Sequence, residues 1–274
     1  MNAPLPTIGQ LLADAGMDAF EARLLLAHTL GCSRAQLITR SAETPAADQV
    51  QAVQDLFARR RAGEPVAYLV GYRDFHDVRL RVTPAVLIPR PETELLVDLA
   101  SARVGSQPLG VLDLGTGSGA IAIALAHLHP LARVTAVDTS PEALDIACEN
   151  AAANNASVEF MHGDWFSPLA GRQFDLIVSN PPYIRAGDLH LQQGDLRFEP
   201  MQALTDNADG LAALRIIASQ APAHLTPGGW LMMEHGHDQA RAVREMLTHA
   251  GFVEVTSATD LAGIERVSAG RLTA

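Results

Sequence analysis

Four consecutive residues, Asn180-Pro181-Pro182-Tyr183, follow the apolar run FDLIVSN, and their composition suits one task, the holding of a planar NH₂ group. Such a nitrogen has its lone pair delocalised into a carbonyl or a ring. It attacks an electrophile poorly until both protons are held and the lone pair is aimed. The Asn180 side-chain oxygen and the Pro181 carbonyl can each accept one N–H, since proline has no amide proton and the Pro-Pro pair stiffens the turn. Tyr183 is expected to wall the same pocket. The competing reading is a plain strand-ending turn around a buried aromatic, and the position after a strand, where open α/β sheets bind ligands, counts against it.

A second cluster lies upstream. Val111-Leu112-Asp113-Leu114 reads as a buried strand that runs into Gly115-Thr116-Gly117-Ser118-Gly119 and then into an apolar helix from Ala120. Glycines there let backbone amides approach a ligand, and NAD and FAD domains use the same device. The spacing Gly-x-Gly-x-Gly before Ala120 meets only the looser dinucleotide pattern, so a dinucleotide stays open on these residues. About 20 residues beyond the turn, the strand ARVTAVD ends at Asp138, whose carboxylate can accept from both ribose hydroxyls of an adenosine. Asp164 and Trp165 follow the strand VEFM; the aspartate can take an adenine amino proton and the indole can cover the base. Singly these are a capped strand end and a core tryptophan, but three strand ends together predict a nucleoside site. No Gly-x-x-x-x-Gly-Lys-Ser/Thr stretch is present, and Ser118 lacks the spacing of a Gly-x-Ser-x-Gly nucleophile elbow. Glu234-His235-Gly236-His237 has no cysteine or further clustered ligand beside it, so no metal is expected.

Elements must carry these residues. After Pro84 short apolar runs alternate with helical stretches, from VLDL and IAIALAHL through GWLMME, QARAVREMLTHA and FVEVTSA, which predicts βαβ units and a mainly parallel sheet. The first sixty-odd residues read as short helices, with apolar faces at Ile8, Leu11 and Leu12, at Phe20, Leu24 and Ala27, and at Val50, Val53 and Leu56. Between them the stretch Val66 to Val82 reads as a hairpin. The division expected is a helical domain over 1–64, a β-hairpin linker over 65–84 and an α/β domain over 85–274, which a chain of 274 residues accommodates. Hydrophobic residues at 48% and charged ones at 19% suffice for a core. The 31 acidic against 20 basic residues give a charge of −11, which repels a phosphate backbone, so direct nucleic-acid binding is not expected. No apolar stretch reaches the roughly 20 residues of a membrane span, and MNAPLPTIGQ lacks the basic start and apolar run of a signal peptide. No membrane association and a cytoplasmic location are therefore expected. Cys32 and Cys148 read as buried thiols in a reducing compartment, and nothing demands more than a monomer.

Longer stretches set these residues in context: GEPVAYLVGYRDF at 63–75, VLIPRPETE at 86–94, VLDLGTGSGAIAIALA at 111–126, VDTSPEALDIACENA at 137–151, GDWFSPL at 163–169 and SNPPYI at 179–184. On them the sequence resembles, nearly end to end, the bacterial protein-glutamine N5-methyltransferases that modify peptide-chain release factors. The resemblance implies a class I S-adenosylmethionine-dependent methyltransferase fold: a Rossmann-like, mainly parallel seven-stranded sheet, with a small N-terminal helical bundle joined by a β-hairpin. It implies S-adenosyl-L-methionine as cofactor, with Gly115, Thr116, Gly117, Ser118 and Gly119 along its methionine part, Asp138 at the ribose and Trp165 by the adenine. Asn180, Pro181, Pro182 and Tyr183 would hold the acceptor glutamine of a Gly-Gly-Gln loop, Asn180 also bordering the cofactor, and the N-terminal domain would help receive the release factor. A sulfonium methyl is already an activated electrophile, so positioning rather than a strong base would carry much of the catalysis. The Asn-Pro-Pro-Tyr element is shared with adenine N6-methyltransferases of DNA or RNA, which remain the competing reading. The stretch at 90–94 favours the protein acceptor; read by itself it is a helix start, with Pro91 first and Glu92 and Glu94 in the first turn. A non-catalytic binding module is disfavoured by the intact Asn180 to Tyr183.

Overall fold

A computed structural model describes residues 4–104 and 108–273 of the chain. The expectations that touch residues 1–3, 105–107 and 274, including the very start of MNAPLPTIGQ, lie outside the described residues. The chain divides into two compact units, Met1–Gly71 and Tyr72–Ala274.

The first unit is helical: α1 (Ile8–Ala13), α2 (Ala19–Leu30), α3 (Arg34–Thr39), α4 (Ala47–Arg61) and α5 (Val66–Val70). Side chains start the helices where backbone amides lack partners. Thr7 Oγ1 accepts from Gln10 N at 3.2 Å while Gln10 Oε1 accepts from Thr7 N at 2.8 Å, a reciprocal box that Ser33 and Gln36 repeat at α3. Ile8, Leu11, Ala22, Leu25, Leu26, Leu37, Val50, Val53 and Phe57 are buried on α1 to α4, and Ala15 and Tyr68 to Val70 are buried beside them. On α2 the buried face is therefore Ala22, Leu25 and Leu26, in place of the expected Phe20, Leu24 and Ala27. The run Leu24-Leu25-Leu26-Ala27 is apolar all round, so spacing could not fix its phase, and Phe20 stays exposed under the Arg34 guanidinium, 4.9 Å from its ring. Likewise Phe57 rather than Leu56 completes the α4 face. Arg60 clasps Glu21 with two bonds of 2.8 and 2.7 Å, joining α4 to α2.

The hairpin is shorter than the sequence suggested. Val66–Val70 is a helix between Pro65 and Gly71, and only β1 (Tyr72–Phe75) and β2 (Val78–Arg81) pair. A short apolar run such as Ala67-Tyr68-Leu69-Val70 has no period that separates a strand from one buried helical turn.

The second unit holds a seven-stranded sheet of β3 (Gly110–Leu114), β4 (Arg133–Asp138), β5 (Val158–His162), β6 (Phe174–Ser179), β7 (Leu225–Glu234), β8 (Phe252–Thr259) and β9 (Glu265–Leu272), in the order β5-β4-β3-β6-β7-β9-β8. Pairs from β5 to β7 are parallel and β9 runs antiparallel to both its neighbours. Helices α6 (Glu94–Val104), α7 (Ala120–Leu128) and α8 (Pro141–Ala153) follow in the chain, then a short α9 (Met201–Leu204), α10 (Ala212–Gln220) and α11 (Ala240–His249). Every residue of β3 is buried because both faces are covered. Val111 joins the cluster with Leu96, Val97 and Ile123 on one side, and Leu112 and Leu114 join Leu214, Ile217, Val243 and Leu247 on the other. The strand β9 was not read from the residues. Its Ser268-Ala269-Gly270 core is not β-branched, yet it must be small, since a Cβ on Gly270 would lie 2.8 Å from Phe252 Cβ.

Asn150 of α8 and Asn154, which caps its C-terminus, bind β2. Asn150 Oδ1 accepts from Arg81 N at 2.6 Å, and its Nδ2 donates to Arg81 O at 3.0 Å and to Ser118 O at 2.9 Å. One turn on, Asn154 makes the corresponding pair with Arg79, at 3.3 and 2.9 Å. The match is metric: four helical residues rise about 6 Å and two strand residues about 6.8 Å. Both cysteines are free; Cys148 is exposed and Cys32 half-buried, so neither is the buried thiol expected. No helix among the described residues is long and apolar enough to cross a membrane.

Replacing Asn150 with Ala should cost about 2 to 4 kcal/mol, because three hydrogen bonds vanish and buried backbone groups lose their partners. Urea unfolding followed by tryptophan fluorescence reads this unit alone, since both tryptophans, Trp165 and Trp230, lie in it. A loss under about 0.5 kcal/mol, the range of a surface change, would show that the hairpin edge is held by something else.

Candidate active site

The sheet order turns between β3 and β6, since β4 continues on one side and β7 on the other. A crevice opens at the carboxyl ends of such strands. Gly115 to Ser118, Asp138, Asp164, Trp165, Asn180 and Pro182 line one cleft there, together with Val86, Pro89, Arg90, Thr93, Pro200 and Gln202. Gly119, Pro181 and Tyr183 are absent from its wall.

The turn after β3 is set by backbone bonds. Gly115 N and Thr116 N both donate to Val137 O, at 2.9 and 3.1 Å, and Gly119 N donates to Thr116 O at 2.9 Å. Gly119 has φ of +84° and a Cβ there would meet Ile123 Cδ1 at 2.7 Å, so this position starts α7 only as glycine. Beneath the turn, Thr116 Oγ1 donates to Asp113 Oδ2 at 2.6 Å. Burial pushes the Asp113 carboxyl up to about 7, against the Thr116 bond that lowers it, and its Oδ1 has no partner.

Asp138 ends β4 and secures two loops at once. Its Oδ2 accepts from Gly117 N at 2.8 Å and its Oδ1 from Ser140 N at 2.9 Å. Burial raises its pKa while these backbone donors lower it. Each carboxylate oxygen keeps a further acceptor site, which is what a vicinal diol requires. Beyond β5, Trp165 adopts φ of +47°, and its ring runs across the turn where a Cβ on Gly115 would lie 3.6 Å from Cζ3. The half-buried indole and the exposed Asp164 stand side by side at the cleft.

At the end of β6, Ser179 Oγ donates to Leu114 O at 2.7 Å and locks the two strands at their carboxyl ends. Asn180 then reaches across 87 residues of sequence: its Nδ2 donates to Thr93 Oγ1 at 3.1 Å, which leaves Oδ1 to accept. Tyr183 stands back from the cleft. Its hydroxyl donates to Glu234 Oε1 at 3.4 Å and its carbonyl accepts from Gln239 Nε2 at 3.0 Å. The ring packs on the Leu112 and Leu114 side of the sheet, so it braces the turn rather than walling the pocket.

Three residues escaped the sequence reading. Thr93 is buried at the cleft. Glu234, at the end of β7, is driven up to about 7 by burial, with Thr93, Tyr183 and Arg266 pulling the other way. Glu199, fully buried, pairs with Arg90 Nη2 and accepts from Ile88 N at 3.1 Å, tying the wall segment Val86 to Arg90 to that of Pro200 to Ala203. The only sequence signal for these was the Arg90 to Glu94 stretch. His235 is structural: its Nδ1 bonds Gly236 O at 2.9 Å and its Nε2 bonds Ser268 Oγ at 2.8 Å, and burial lowers its pKa. Among the described residues no group of three or more histidine, cysteine or acidic side chains could hold a metal.

Comparison with known proteins bears on the whole chain. The PrmC N-terminal domain matches residues 7–71, and the Methyltransferase small domain matches residues 91–195. A release factor glutamine methyltransferase of Burkholderia pseudomallei is 51% identical, with 99% of each chain covered. One from Bordetella pertussis is 53% identical over 96% of this chain and 98% of its own. Among solved structures, a ribosomal protein L11 methylase from Lactobacillus delbrueckii subsp. bulgaricus superposes with a TM-score of 0.53 at 25% identity, covering 71% of this chain and 86% of that one. With half its residues identical to theirs over nearly the full length, this chain belongs to the release factor glutamine methyltransferase family.

Proposed function

We propose that this enzyme transfers a methyl group from S-adenosyl-L-methionine to the side-chain N5 of the glutamine in a Gly-Gly-Gln motif of peptide-chain release factors. The observation that carries the reading is the shared cleft: Asn180, with its NH₂ anchored on Thr93 and its oxygen free, lines the same cleft as Asp138 and Trp165. A glutamine amide offers two N–H groups, and Asn180 Oδ1 with the carbonyl of Pro181, which is itself off the wall but bonded to the lining Pro182, accept them, leaving the lone pair to point at an electrophile.

The residues at the cleft suit the nucleoside sulfonium better than a dinucleotide. In the Gly115 to Gly119 turn, four amide protons are already donated, to Val137 O, Val137 O, Asp138 Oδ2 and Thr116 O. A pyrophosphate finds little there to bind, and the one lining cation among the described residues, Arg90, is paired with buried Glu199. Asp138 offers its spare acceptor sites to a ribose, the indole of Trp165 offers a face to a base, and the bound cofactor supplies an already activated methyl group. Asn180, Pro181 and Pro182 orient and desolvate the acceptor. The adenine reading finds no basic groove at the cleft. With this function go a cytoplasmic location, a monomeric enzyme, and a helical first unit that receives the release factor, its exposed Phe20 and Ile38 being the candidate contacts.

Mass spectrometry of a purified release factor incubated with enzyme and cofactor should show one added methyl on the Gly-Gly-Gln glutamine, absent when that glutamine is alanine; methylated adenine in its place would select the nucleic-acid reading. Asn180→Ala should lower kcat about 10²-fold or more with cofactor affinity held, and a wild-type rate would remove Asn180 from its role. Asp138→Ala should weaken cofactor binding roughly tenfold to hundredfold by calorimetry, as the loss of hydrogen bonds to a charged acceptor requires; an unchanged Kd would contradict the ribose assignment. Replacing Phe20 and Ile38 together with serine should raise KM for the release factor at constant cofactor Kd, and an unchanged KM would relieve that face of substrate binding.

A further inference from the structure

Nothing in an asparagine amide itself decides which end faces a substrate. Oxygen and NH₂ have the same shape, and χ2 is broad. In this site the choice is made elsewhere. Thr93 closes the turn Pro91–Thr93 ahead of α6 and is 4% exposed, with Oγ1 3.1 Å from Asn180 Nδ2. That buried hydroxyl meets the NH₂ end of Asn180 and not its oxygen. Because Thr93 Oγ1 accepts from Nδ2, what Thr93 turns toward Asn180 is a lone pair. The asparagine must answer with its NH₂, and its oxygen is left on the opposite side.

Building on the function proposed above, we infer that Thr93 is a positioning residue that holds the Asn180 amide in the orientation whose oxygen meets the acceptor nitrogen. In the reverse orientation NH₂ would oppose the N–H of the acceptor, and neither group could accept. Thr93 itself touches no reacting atom. Its role is to select a rotamer, as partners of metal-bound histidines select a tautomer.

Thr93→Val removes the hydroxyl at constant shape, and Thr93→Ser keeps it. The valine variant should lose roughly tenfold or more in kcat, with the KM for release factor and the Kd for S-adenosylmethionine within about twofold of wild type, and the serine variant should recover most of the rate. A valine variant with wild-type kcat overturns the inference, and so does an equal loss in both variants, which would assign the effect to packing. A second readout needs no substrate: in protein labelled with ¹⁵N-asparagine, the Asn180 side-chain NH₂ should exchange slowly with solvent in wild type and Thr93→Ser and fast in Thr93→Val. Equal exchange in all three refutes the fixed amide. Slow exchange in a wild-type enzyme that leaves glutamine unmethylated would refute the acceptor assignment and still support the fixed amide.

Discussion

Strands β3 and β6 lie parallel in a register that sets Leu114 beside Ser179, yet their chains leave in opposite directions, from β3 toward β4 and from β6 toward β7. The site depends on this divergence. Two adjacent strand ends with nothing crossing over them leave a crevice, and the residues just past those ends, Gly115 and Asn180, become its opposite walls. The Ser179 hydroxyl on Leu114 O keeps the ends from sliding. Any shift in this register would move Asn180 relative to the glycine turn, and with it the distance between whatever the two walls hold.

Around the crevice four carboxylates have lost water, and the fold treats them differently. Asp138 receives backbone N–H groups on both oxygens, which favours its charge. Asp113 and Glu234 depend largely on hydroxyl partners, and burial carries both up to about 7. Glu199 takes a third course, an ion pair with Arg90. Arg90, which lines the crevice, is thereby committed to holding two wall segments together.

The parts of this site that were legible in sequence are local. A glycine turn between an apolar strand and an apolar helix, a carboxylate at the next strand end and an Asn-Pro-Pro-Tyr turn each declare their geometry within a few residues, and the alternation after Pro84 gave the parallel sheet that arranges them. What stayed hidden joins distant positions. Thr93 meets Asn180 across 87 residues, and Arg90 meets Glu199 across 109. No periodicity encodes such pairs. Tyr183 was assigned to the pocket because an aromatic beside a binding turn has two equally plausible faces, and only the tertiary position of Glu234 decides between them. The phase of α2 and the strand β9 were lost for the complementary reason: a run that is apolar all round, or made of small residues, carries too little contrast to be read.

The asparagine pair of α8 and its C-terminal cap has a consequence of another kind. Arg79 and Arg81 turn their backbone polar groups away from β1, so β2 would end the hairpin in a row of unpaired donors and acceptors. Asn150 and Asn154 fill that row with side-chain amides. A helix and its cap thus stand in for a neighbouring strand, and the outer edge of β2 offers no template on which a second chain could add itself. The same two residues that steady the hairpin therefore also guard the protein against edge-to-edge aggregation.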